Sequence, residues 1–313
     1  MYEAFLRPLH GLSYSHYRAR IRRGSRPLSV PDIRFPLTTR PLMHETPFSV
    51  HETGDFQYND EGPKDSPLPP IVLLHGMLGD LSNWVDTVDT LSTNGYRVLA
   101  PIIPVYDFPI SDTGVPRLTK HVRDFIGAMD LDSTILVGNS LGGHIALLFA
   151  LEYTDFVDAM VLSGSSGIYE TTMGTTFFKR QDREFIRERT EMTFYDPAHA
   201  TEELVDEMFE IVNDRPRALR LLKIARSADE ETVTERLSRL DMPTLLVWGQ
   251  DDIITPPDVA EEFRDRMPNA RLHFIDECGH APMIEQPETF NQLTLEFLSE
   301  MAETARVTSP SST

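Results

Sequence analysis

Short apolar runs alternate with amphipathic segments along most of the chain after residue 44. The run Ile71–Leu74 contains no polar residue, which is typical of a strand buried on both faces of a sheet. Residues 80–93, which follow it, carry apolar side chains at helical spacing. This alternation predicts an α/β fold with a mostly parallel central sheet and helices on both faces.

The same pattern gives the expected position of each element. Strands are predicted at 48–53, 56–58, 71–74, 96–101, 134–138, 159–163, 244–248 and 271–275. Helices that alternate with these strands or follow them are predicted at 80–93, 115–129, 141–152, 257–267 and 287–303. The α/β core is therefore expected to occupy residues 44–167 and 241–306.

The alternation stops between residues 168 and 240, where no strand is predicted. Successive helices are expected there at 175–193, 201–213, 216–227 and 230–240. Thr201 followed by Glu202 and Glu203 is typical of a helix start, because acidic side chains in the first turn complement the helix dipole. Residues 168–240 are therefore predicted to be an all-helical module inserted into the core.

The two ends of the chain differ from this core in composition. Residues 1–40 contain eight arginines and only two acidic residues, Glu3 and Asp32. We predict a flexible basic extension over 1–43; a translation start near Met43 is the alternative, and the composition also has features of a transit peptide. The segment 307–313, rich in serine and threonine, is predicted to be a flexible tail.

The chain is strongly acidic, with 49 Asp and Glu against 29 Lys and Arg and a formal net charge of −20. This charge disfavours binding to nucleic acid and to anionic membrane surfaces, and the apolar runs fall far short of the ~20 residues that cross a bilayer. Because few of the basic residues are lysines, the composition fits either a halophilic source or an ordinary acidic enzyme from a GC-rich genome. The single cysteine, Cys278, excludes an intrachain disulfide and favours a reducing cytoplasm.

Ser140 is the candidate nucleophile. It stands in Gly138-Asn139-Ser140-Leu141-Gly142, between a predicted strand and a predicted helix. A G-x-S-x-G sequence in that context is typical of a tight turn that raises the serine hydroxyl above the sheet edge. Gly138 and Gly142 have no Cβ, which allows the turn to close. A purely structural serine is the alternative.

A serine hydroxyl needs a base, and the base needs a group that orients it. His280 follows the predicted strand 271–275, and Asp251 and Asp252 follow the predicted strand 244–248. Because the carboxyl ends of parallel strands meet at one sheet edge, all three are expected near Ser140, in the chain order of a Ser-Asp-His triad. Each alone has another explanation, since a carboxylate can cap a helix and a lone histidine is often structural.

Two backbone N–H groups are candidates for stabilising negative charge on a substrate oxygen. The Leu141 N–H follows the nucleophile at a helix N-terminus, and the Met77 N–H lies in the loop after the strand 71–74. Gly76 lets that loop approach closely. His75 could act as a second base, but we interpret it as a structural residue that bonds the loop backbone.

At these residues the sequence resembles the α/β-hydrolase superfamily. The matching motifs are His75-Gly76, Gly138-x-Ser140-x-Gly142-Gly143, Trp248-Gly249-x-x-Asp252-x-x-x-Pro256 and Gly279-His280-x-Pro282-x-x-Glu285-x-Pro287. The resemblance implies that Asp252, not Asp251, is the triad acid, and that the insertion 168–240 is the family's lid over the nucleophile. Because Ser140 stands where haloalkane dehalogenases and epoxide hydrolases have an aspartate, those branches are disfavoured.

The expected function is a serine hydrolase that cleaves a small ester or related acyl substrate through a Ser-His-Asp triad, with no cofactor and no metal. A carbon–carbon hydrolase of ring-fission products or an acyltransferase with the same triad is the alternative, and a non-catalytic ligand-binding member of the fold is a third. The start Gly138-Asn139-Ser140 resembles the carbon–carbon hydrolases, but those usually have an aromatic residue where this chain has Ala281. A small-molecule acyl substrate is the expected partner, and the oligomeric state stays open.

The substrate pocket is expected to include residues near the nucleophile and in the insertion. The candidates are Gly76, Asn139, Ser165, Tyr169 and Arg226. Ser165 and Tyr169 belong to a hydroxyl-rich stretch after the strand 159–163, where loop capping is the alternative. Arg226 follows an apolar run with no acidic residue within three positions upstream, so it could hold a substrate carboxylate. The other arginines of the insertion, interleaved with Glu and Asp, are mostly expected in surface ion pairs.

Overall fold

The computed structural model describes residues 47–170 and 179–308, with side chains as far as residue 303. All of them belong to one compact unit, residues 42–313. The predictions for the extension 1–43, for residues 175–178 of a predicted helix and for residues 309–313 lie outside the described residues.

The described strands form one sheet. They are β1 His51–Thr53, β2 Phe56–Glu61, β3 Ile71–Leu74, β4 Val98–Pro101, β5 Thr134–Asn139, β6 Val157–Ser163, β7 Thr244–Gly249 and β8 Ala270–Ile275. Their order across the sheet is β1-β2-β4-β3-β5-β6-β7-β8. The pairs β1–β2 and β2–β4 are antiparallel, and every pair from β4 to β8 is parallel. The mostly parallel sheet predicted from the sequence is confirmed.

Helices pack on both faces of this sheet. They are α1 Val85–Thr93, α2 Val115–Ala128, α3 Leu141–Glu152, α4 Arg183–Glu191, α5 Glu202–Asn213, α6 Arg215–Glu230, α7 Pro257–Arg266, α8 Pro282–Glu285 and α9 Pro287–Thr308. Successive side chains of β3 enter opposite apolar layers, because side chains alternate along a strand. Leu73 lies in the layer that contains Phe290 of α9, and Leu74 lies in the layer that contains Ile145 of α3.

The strand register brings the carboxyl ends of the central strands together. Gly138 of β5 lies opposite Leu74 of β3, and Asn139 of β5 lies opposite Ser163 of β6. The loops that follow β3, β5, β6, β7 and β8 therefore leave the sheet at one edge. Open parallel sheets bind their ligands at this edge.

The predicted helix 80–93 is divided in two. A short 3-10 helix at Leu81–Trp84 precedes α1. The Asp80 side chain accepts a hydrogen bond from Ser82 N, and the Asn83 side chain accepts one from Asp80 N. This reciprocal pair of side-chain bonds caps the first turn, so the segment starts as a tight turn and becomes α-helical only afterwards.

The segment between β6 and β7 contains α4, α5 and α6 and no strand among its described residues. The predicted helix 175–193 is wrong over residues 179–182, because α4 begins at Arg183. The Asp182 side chain accepts a hydrogen bond from Phe185 N at 3.2 Å and so caps the helix at that point. The predicted helix 216–227 is longer in the structure, where α6 covers Arg215–Glu230.

The predicted helix 230–240 is wrong. The chain leaves the helical path after Glu230, and only a 3-10 helix, Thr234–Arg239, follows. Val233 N donates a hydrogen bond to Gly167 O at 2.9 Å. This bond ties the chain to the loop after β6, which the apolar spacing of residues 230–240 did not reveal.

Several smaller boundaries also differ from the prediction, among them those of β1, β2 and α9. β1 begins at His51 rather than at residue 48, and β2 continues to Glu61 because its residues from Tyr58 onward pair with β4. α9 continues to Thr308, so the predicted start of a flexible tail at residue 307 is wrong. No helix in the described part of the chain is both long enough and apolar enough to cross a membrane.

Candidate active site

Ser140 occupies the turn between β5 and α3. Its backbone has φ 53° and ψ −120°, with a positive φ that is uncommon for a residue other than glycine. A Cβ on Gly142 would lie 1.9 Å from the Leu74 carbonyl oxygen, and one on Gly138 would lie 2.6 Å from the Gly142 backbone. Because only glycine fits at either position, the G-x-S-x-G sequence specifies a strained turn that presents the serine.

His280 and Asp252 form a buried pair at the same sheet edge. His280 Nδ1 lies 2.9 Å from Asp252 Oδ2. Asp252 Oδ1 accepts from the Ile254 and Thr255 N–H groups at 2.9 and 3.0 Å, and Oδ2 accepts from the Thr255 hydroxyl at 2.8 Å. Asp252 is 2% exposed, whereas the neighbouring Asp251 is exposed. The loop after β7 thus holds one carboxylate in a single orientation against the imidazole.

The backbone of His280 is tied to two other parts of the chain. His280 N donates to Thr193 O at 2.8 Å. The Asn139 side-chain amide donates to His280 O at 2.9 Å and to Ser163 O at 3.0 Å. Asn139 therefore joins the ends of β5 and β6 to the loop that carries the histidine.

Glu285 joins the same loop to the helical segment. Its Oε1 accepts from Gly279 N at 2.9 Å, and its Oε2 accepts from Tyr195 N at 2.7 Å. Burial raises the pKa of Glu285, and these backbone hydrogen bonds offset the effect only in part. The Glu285 side chain therefore fixes the histidine loop against the insertion.

The charge state of His280 depends on opposing effects. Burial lowers the pKa of the imidazole, but the charge of Asp252 and its hydrogen bond raise it, and Glu170 and Glu285 raise it further. The net pKa lies above the ordinary value of 6.5. The ring contacts with Asp252 and Thr255 both involve Nδ1, so Nε2 has no hydrogen-bond partner among the described residues.

Ser140 and His280 line one cavity of about 220 Å³. Gly76, Met77 and Asn139 line it from the sheet edge. The helical segment supplies much of the apolar wall, through the side chains of Ile186, Leu204, Met208 and Val212. The serine and the histidine therefore face the same largely apolar space.

The Met77 and Leu141 N–H groups lie on the two loops next to Ser140. Leu141 is the first residue of α3, and Met77 lines the cavity. A Cβ on Gly76 would lie 3.3 Å from the Ser140 Cβ, so the loop after β3 packs directly against the nucleophile turn. Among the described residues neither N–H donates to a protein acceptor. Neither N–H is therefore engaged by another described residue.

His75 is buried and bonds the backbone through both ring nitrogens. Ile103 N donates to His75 Nε2 at 2.8 Å, so Nδ1 carries the proton and donates to Gly76 O, also at 2.8 Å. With both nitrogens used, His75 has no lone pair left to act as a base. Its role is to hold the loop after β3.

The family of this chain follows from a comparison with known protein families. A family model described as "alpha/beta hydrolase fold" matches residues 69–287, which is well over half of the chain. This chain belongs to the α/β hydrolase fold family. The fold class and the hydrolase activity expected from the sequence are confirmed.

Similar proteins are also known individually. The 2-hydroxy-6-oxononadienedioate/2-hydroxy-6-oxononatrienedioate hydrolase of Burkholderia vietnamiensis is 33% identical over 262 residues, which cover 77% of this hydrolase and 90% of that protein. The structure of MGS-MChE2, an alpha/beta hydrolase enzyme from a lagoon-sediment metagenome, has a TM-score of 0.67 and 36% identity, and the match covers 80% of this chain and 98% of that one. The meta-cleavage product hydrolase CumD of Pseudomonas fluorescens has a TM-score of 0.68 and 26% identity, with 78% and 94% covered.

Only some of the residues predicted to line the substrate pocket do so in this hydrolase. Gly76 and Asn139 line the cavity, but three other candidates lie outside its wall. Ser165 is buried, and its hydroxyl donates to Ser166 O at 2.9 Å. Ser165 packs against α3, the helix that follows Ser140. It is therefore close to Ser140 in space but does not reach the cavity.

Tyr169 and Arg226 are exposed and lie outside the cavity wall. The Tyr169 hydroxyl donates to Asp258 on α7. Arg226 pairs with Glu230 at 3.0 Å, one turn later on α6. The acidic partner of Arg226 lies downstream in the sequence, so the absence of an acidic residue upstream does not leave its side chain unpaired. Neither side chain reaches the space in front of Ser140.

Sequence reasoning missed two charged residues of the cavity wall, Glu170 and Arg189. Glu170 follows the hydroxyl-rich stretch after β6, which contains the pocket candidates Ser165 and Tyr169. Arg189 belongs to α4, where alternating charges are typical of a solvent-exposed face. The signal in the sequence was its position on the helix, one turn after the apolar Ile186 and next to Thr190. Both of these residues are buried in the structure.

Cys278 lies two residues before His280 and is fully buried. Burial raises the pKa of its thiol, and the nearby carboxylates of Glu285, Asp252 and Asp251 raise it further. The thiol is therefore protonated at neutral pH and unreactive, which suits a packing role.

Proposed function

We propose that this hydrolase is a serine esterase that cleaves a small ester with an apolar acyl group through an acyl-enzyme on Ser140. The observation that carries the proposal is the shared cavity: Ser140 and His280 line the same largely apolar space, and Asp252 bonds the imidazole through Nδ1. A neutral acyl chain fits such a lining, because apolar walls stabilise an apolar ligand and offer few partners to a charged one.

In the proposed mechanism, His280 Nε2 takes the proton of Ser140 as the hydroxyl attacks the ester carbonyl, and later returns it to the leaving alcohol. Asp252 accepts from Nδ1–H, which holds the tautomer with the lone pair on Nε2 and stabilises the imidazolium that forms. The hydrogen bonds from Ile254 and Thr255 keep that carboxylate oriented. Water then repeats the sequence on the acyl-enzyme.

The tetrahedral intermediate carries negative charge on the former carbonyl oxygen. We assign its stabilisation to the Leu141 and Met77 N–H groups, which flank Ser140 and have no protein acceptor among the described residues. The N-terminus of α3 adds its partial positive charge at the same point.

We further propose that residues 168–240 act as a lid, inserted into a core of residues 44–167 and 241–306. The side chains that this segment contributes to the cavity support that role. The apolar residues of α4 and α5, rather than the sheet, then determine which acyl chain fits. A small-molecule substrate is the only partner we propose, and Cys278 as a free thiol fits a reducing cytoplasm.

A carbon–carbon hydrolase of ring-fission products is the second candidate, because many of the similar proteins, including two of the three described above, have names of that kind. Such a substrate is an anionic dienoate, so a cation in the cavity would favour it. Arg189 is the residue that could provide one. Its guanidinium already contacts the Phe185 ring and Met192 Sδ, which weakens the case.

A panel of p-nitrophenyl esters with acyl chains of increasing length, together with a ring-fission dienoate, tests the proposal. We expect the neutral esters to have the higher kcat/KM, with an optimum set by the cavity length. A fluorophosphonate probe should label Ser140, which mass spectrometry of the peptide identifies. A higher kcat/KM on the dienoate would assign the enzyme to the carbon–carbon branch, and failure to label Ser140 would overturn the nucleophile assignment.

A further inference from the structure

Glu170 is the acidic residue of the cavity wall. Among the described lining residues it is the only carboxylate, and its side chain is only partly exposed. It shares the wall with Ser140 and His280, so any substrate held for attack lies in the electrostatic field of this group. The mechanism proposed above gives it no role.

The loop that carries Glu170 is tied to the catalytic residues. Ser166 N donates to Ser140 O at 3.2 Å. Gly164, with φ 51°, packs so closely that a Cβ there would lie 2.8 Å from His280 Nδ1. Gly167, with φ 118°, accepts from Val233 N at 2.9 Å. The backbone leading to Glu170 is therefore anchored within three residues of the carboxylate.

The surroundings of Glu170 bear on its charge. Burial raises its pKa, and a hydrogen bond with Ser166 and the charge of His280 oppose that effect, while Asp229 and Asp252 add to it. Arg189 also faces the cavity, but its guanidinium is engaged with the Phe185 ring and Met192 Sδ.

We propose that Glu170 is a specificity-determining residue that disfavours substrates carrying a negative charge and restricts the site to uncharged esters. A carboxylate in a cavity shielded from water repels a second anion more strongly than it would in bulk solvent. The same repulsion acts against an anionic dienoate. This inference rests on the proposed esterase function and refines its substrate class.

The test compares substrates that differ in charge but hardly in size. The first pair is p-nitrophenyl 4-sulfobutanoate, with a permanent charge, and p-nitrophenyl 4-(methylsulfonyl)butanoate, with none. A second pair places the same two groups on the phenol, as 4-sulfophenyl and 4-(methylsulfonyl)phenyl pentanoate, so that both halves of the substrate are sampled. The quantity measured is the ratio of kcat/KM for the neutral ester to kcat/KM for the anionic ester.

We expect Glu170→Gln to lower this ratio at least about tenfold in one pair or in both, through a gain on the anionic ester. Glu188→Gln, which removes the same charge from an exposed position on α4, should leave both ratios unchanged. Arg189→Gln should raise the ratio, because it removes the cation of the cavity wall. If Glu170→Gln does not fold, the pH dependence of the wild-type ratio carries the test.

The pH dependence of the ratio adds a readout that a structural role would not move. Titration of His280 affects both esters of a pair equally and cancels, and the sulfonate keeps its charge throughout. The ratio should therefore rise with pH as Glu170 loses its proton, at a pH above the ordinary carboxyl pKa of 4.5 because its pKa is raised. Asp229, Asp252 and Arg189 are the other charged groups around it.

The pH series in Glu170→Gln should be flat. Ratios that are the same in Glu170→Gln and in the wild type for both pairs would overturn the role of Glu170. A wild-type enzyme that hydrolyses none of the neutral esters would instead overturn the esterase proposal, and with it the refinement. The two failures are therefore distinguishable by the wild-type rate alone.

Discussion

The sheet edge and the helical segment line the same cavity, but different polar contacts hold them in place. At the sheet edge, Asp252 and His280 are buried, and backbone groups hold them at 2.8 to 3.0 Å. In the helical segment, by contrast, exposed ion pairs such as those of Arg183 with Glu202 and Asp206 join α4 to α5. Exposed pairs stabilise little and are screened by salt.

The two regions therefore have different tasks. The rigid edge fixes the reacting atoms, whose positions tolerate little error, because small displacements cost large factors in rate. The helical segment fixes the shape of the pocket, and a different set of apolar side chains there would change the substrate without disturbing the chemistry. Substitutions at the edge should therefore affect turnover far more than substitutions on the exposed face of the segment.

The largest effect is expected for Ser140→Ala. Loss of the nucleophile should lower kcat on activated esters by on the order of 10⁴ to 10⁶, with little change in the thermal unfolding temperature. Ser165→Ala is the matched control, since that serine is buried in a neighbouring loop but lies outside the cavity wall. Equal losses of kcat in the two variants would contradict the assignment of the chemistry to Ser140 alone.

Asp252→Asn should have the next largest effect, a loss of roughly 10⁴ in kcat, because an amide favours the wrong imidazole tautomer. Its control is one residue away. Asp251→Asn changes an exposed carboxylate of the same loop and should alter kcat by less than about tenfold. Steady-state kinetics of the purified variants decide the ranking, and the reverse order would assign the acid to Asp251.

Gly142→Ala probes the rigidity of the edge itself. The added Cβ would collide with the Leu74 carbonyl, so we expect a loss of about 1 to 3 kcal/mol in the free energy of unfolding by urea. Gly127→Ala, on α2, introduces the same methyl group with no atom within 4 Å and should stabilise the protein by ~0.5 to 1 kcal/mol. Tolerance of Gly142→Ala would mean that the turn is less constrained than its contacts imply.

The smallest effect is expected for Arg226→Ala on the helical segment. Its side chain is 81% exposed and pairs with Glu230 rather than with anything in the cavity. The value of kcat/KM on neutral esters should therefore change by less than about tenfold, or ~1.4 kcal/mol. A larger loss, especially on an anionic substrate, would indicate that α6 contributes to the substrate site. The division of tasks between the two regions would then not hold.

The contrast between the regions also explains what the sequence could predict. The positions of Ser140, Asp252 and His280 followed from local signals, because each residue lies in the segment after a predicted strand, and parallel strands end at one edge. The glycines of the turn at Ser140 were also predictable, because a turn this tight leaves no room for a Cβ.

The helical segment gave no comparable signal. Whether Arg189 or Arg226 faces the cavity depends on how α4 and α6 rotate about their axes, and both helices mix charges over most of their surface. The end of α6 depended on a bond between Val233 and Gly167, which are far apart in the sequence. Such contacts are tertiary, so propensity and periodicity do not encode them.

The bonds from Thr193 O to His280 N and from Glu285 to Tyr195 N have a consequence for protein engineering. Insertions of this kind look exchangeable, as cassettes grafted between relatives to transfer substrate range. Here the stretch 193–195 braces the loop of His280, the proposed catalytic base. A chimaera that kept these three residues from this chain and replaced the helices on either side would retain the brace, whereas one cut at the ends of β6 and β7 would lose it.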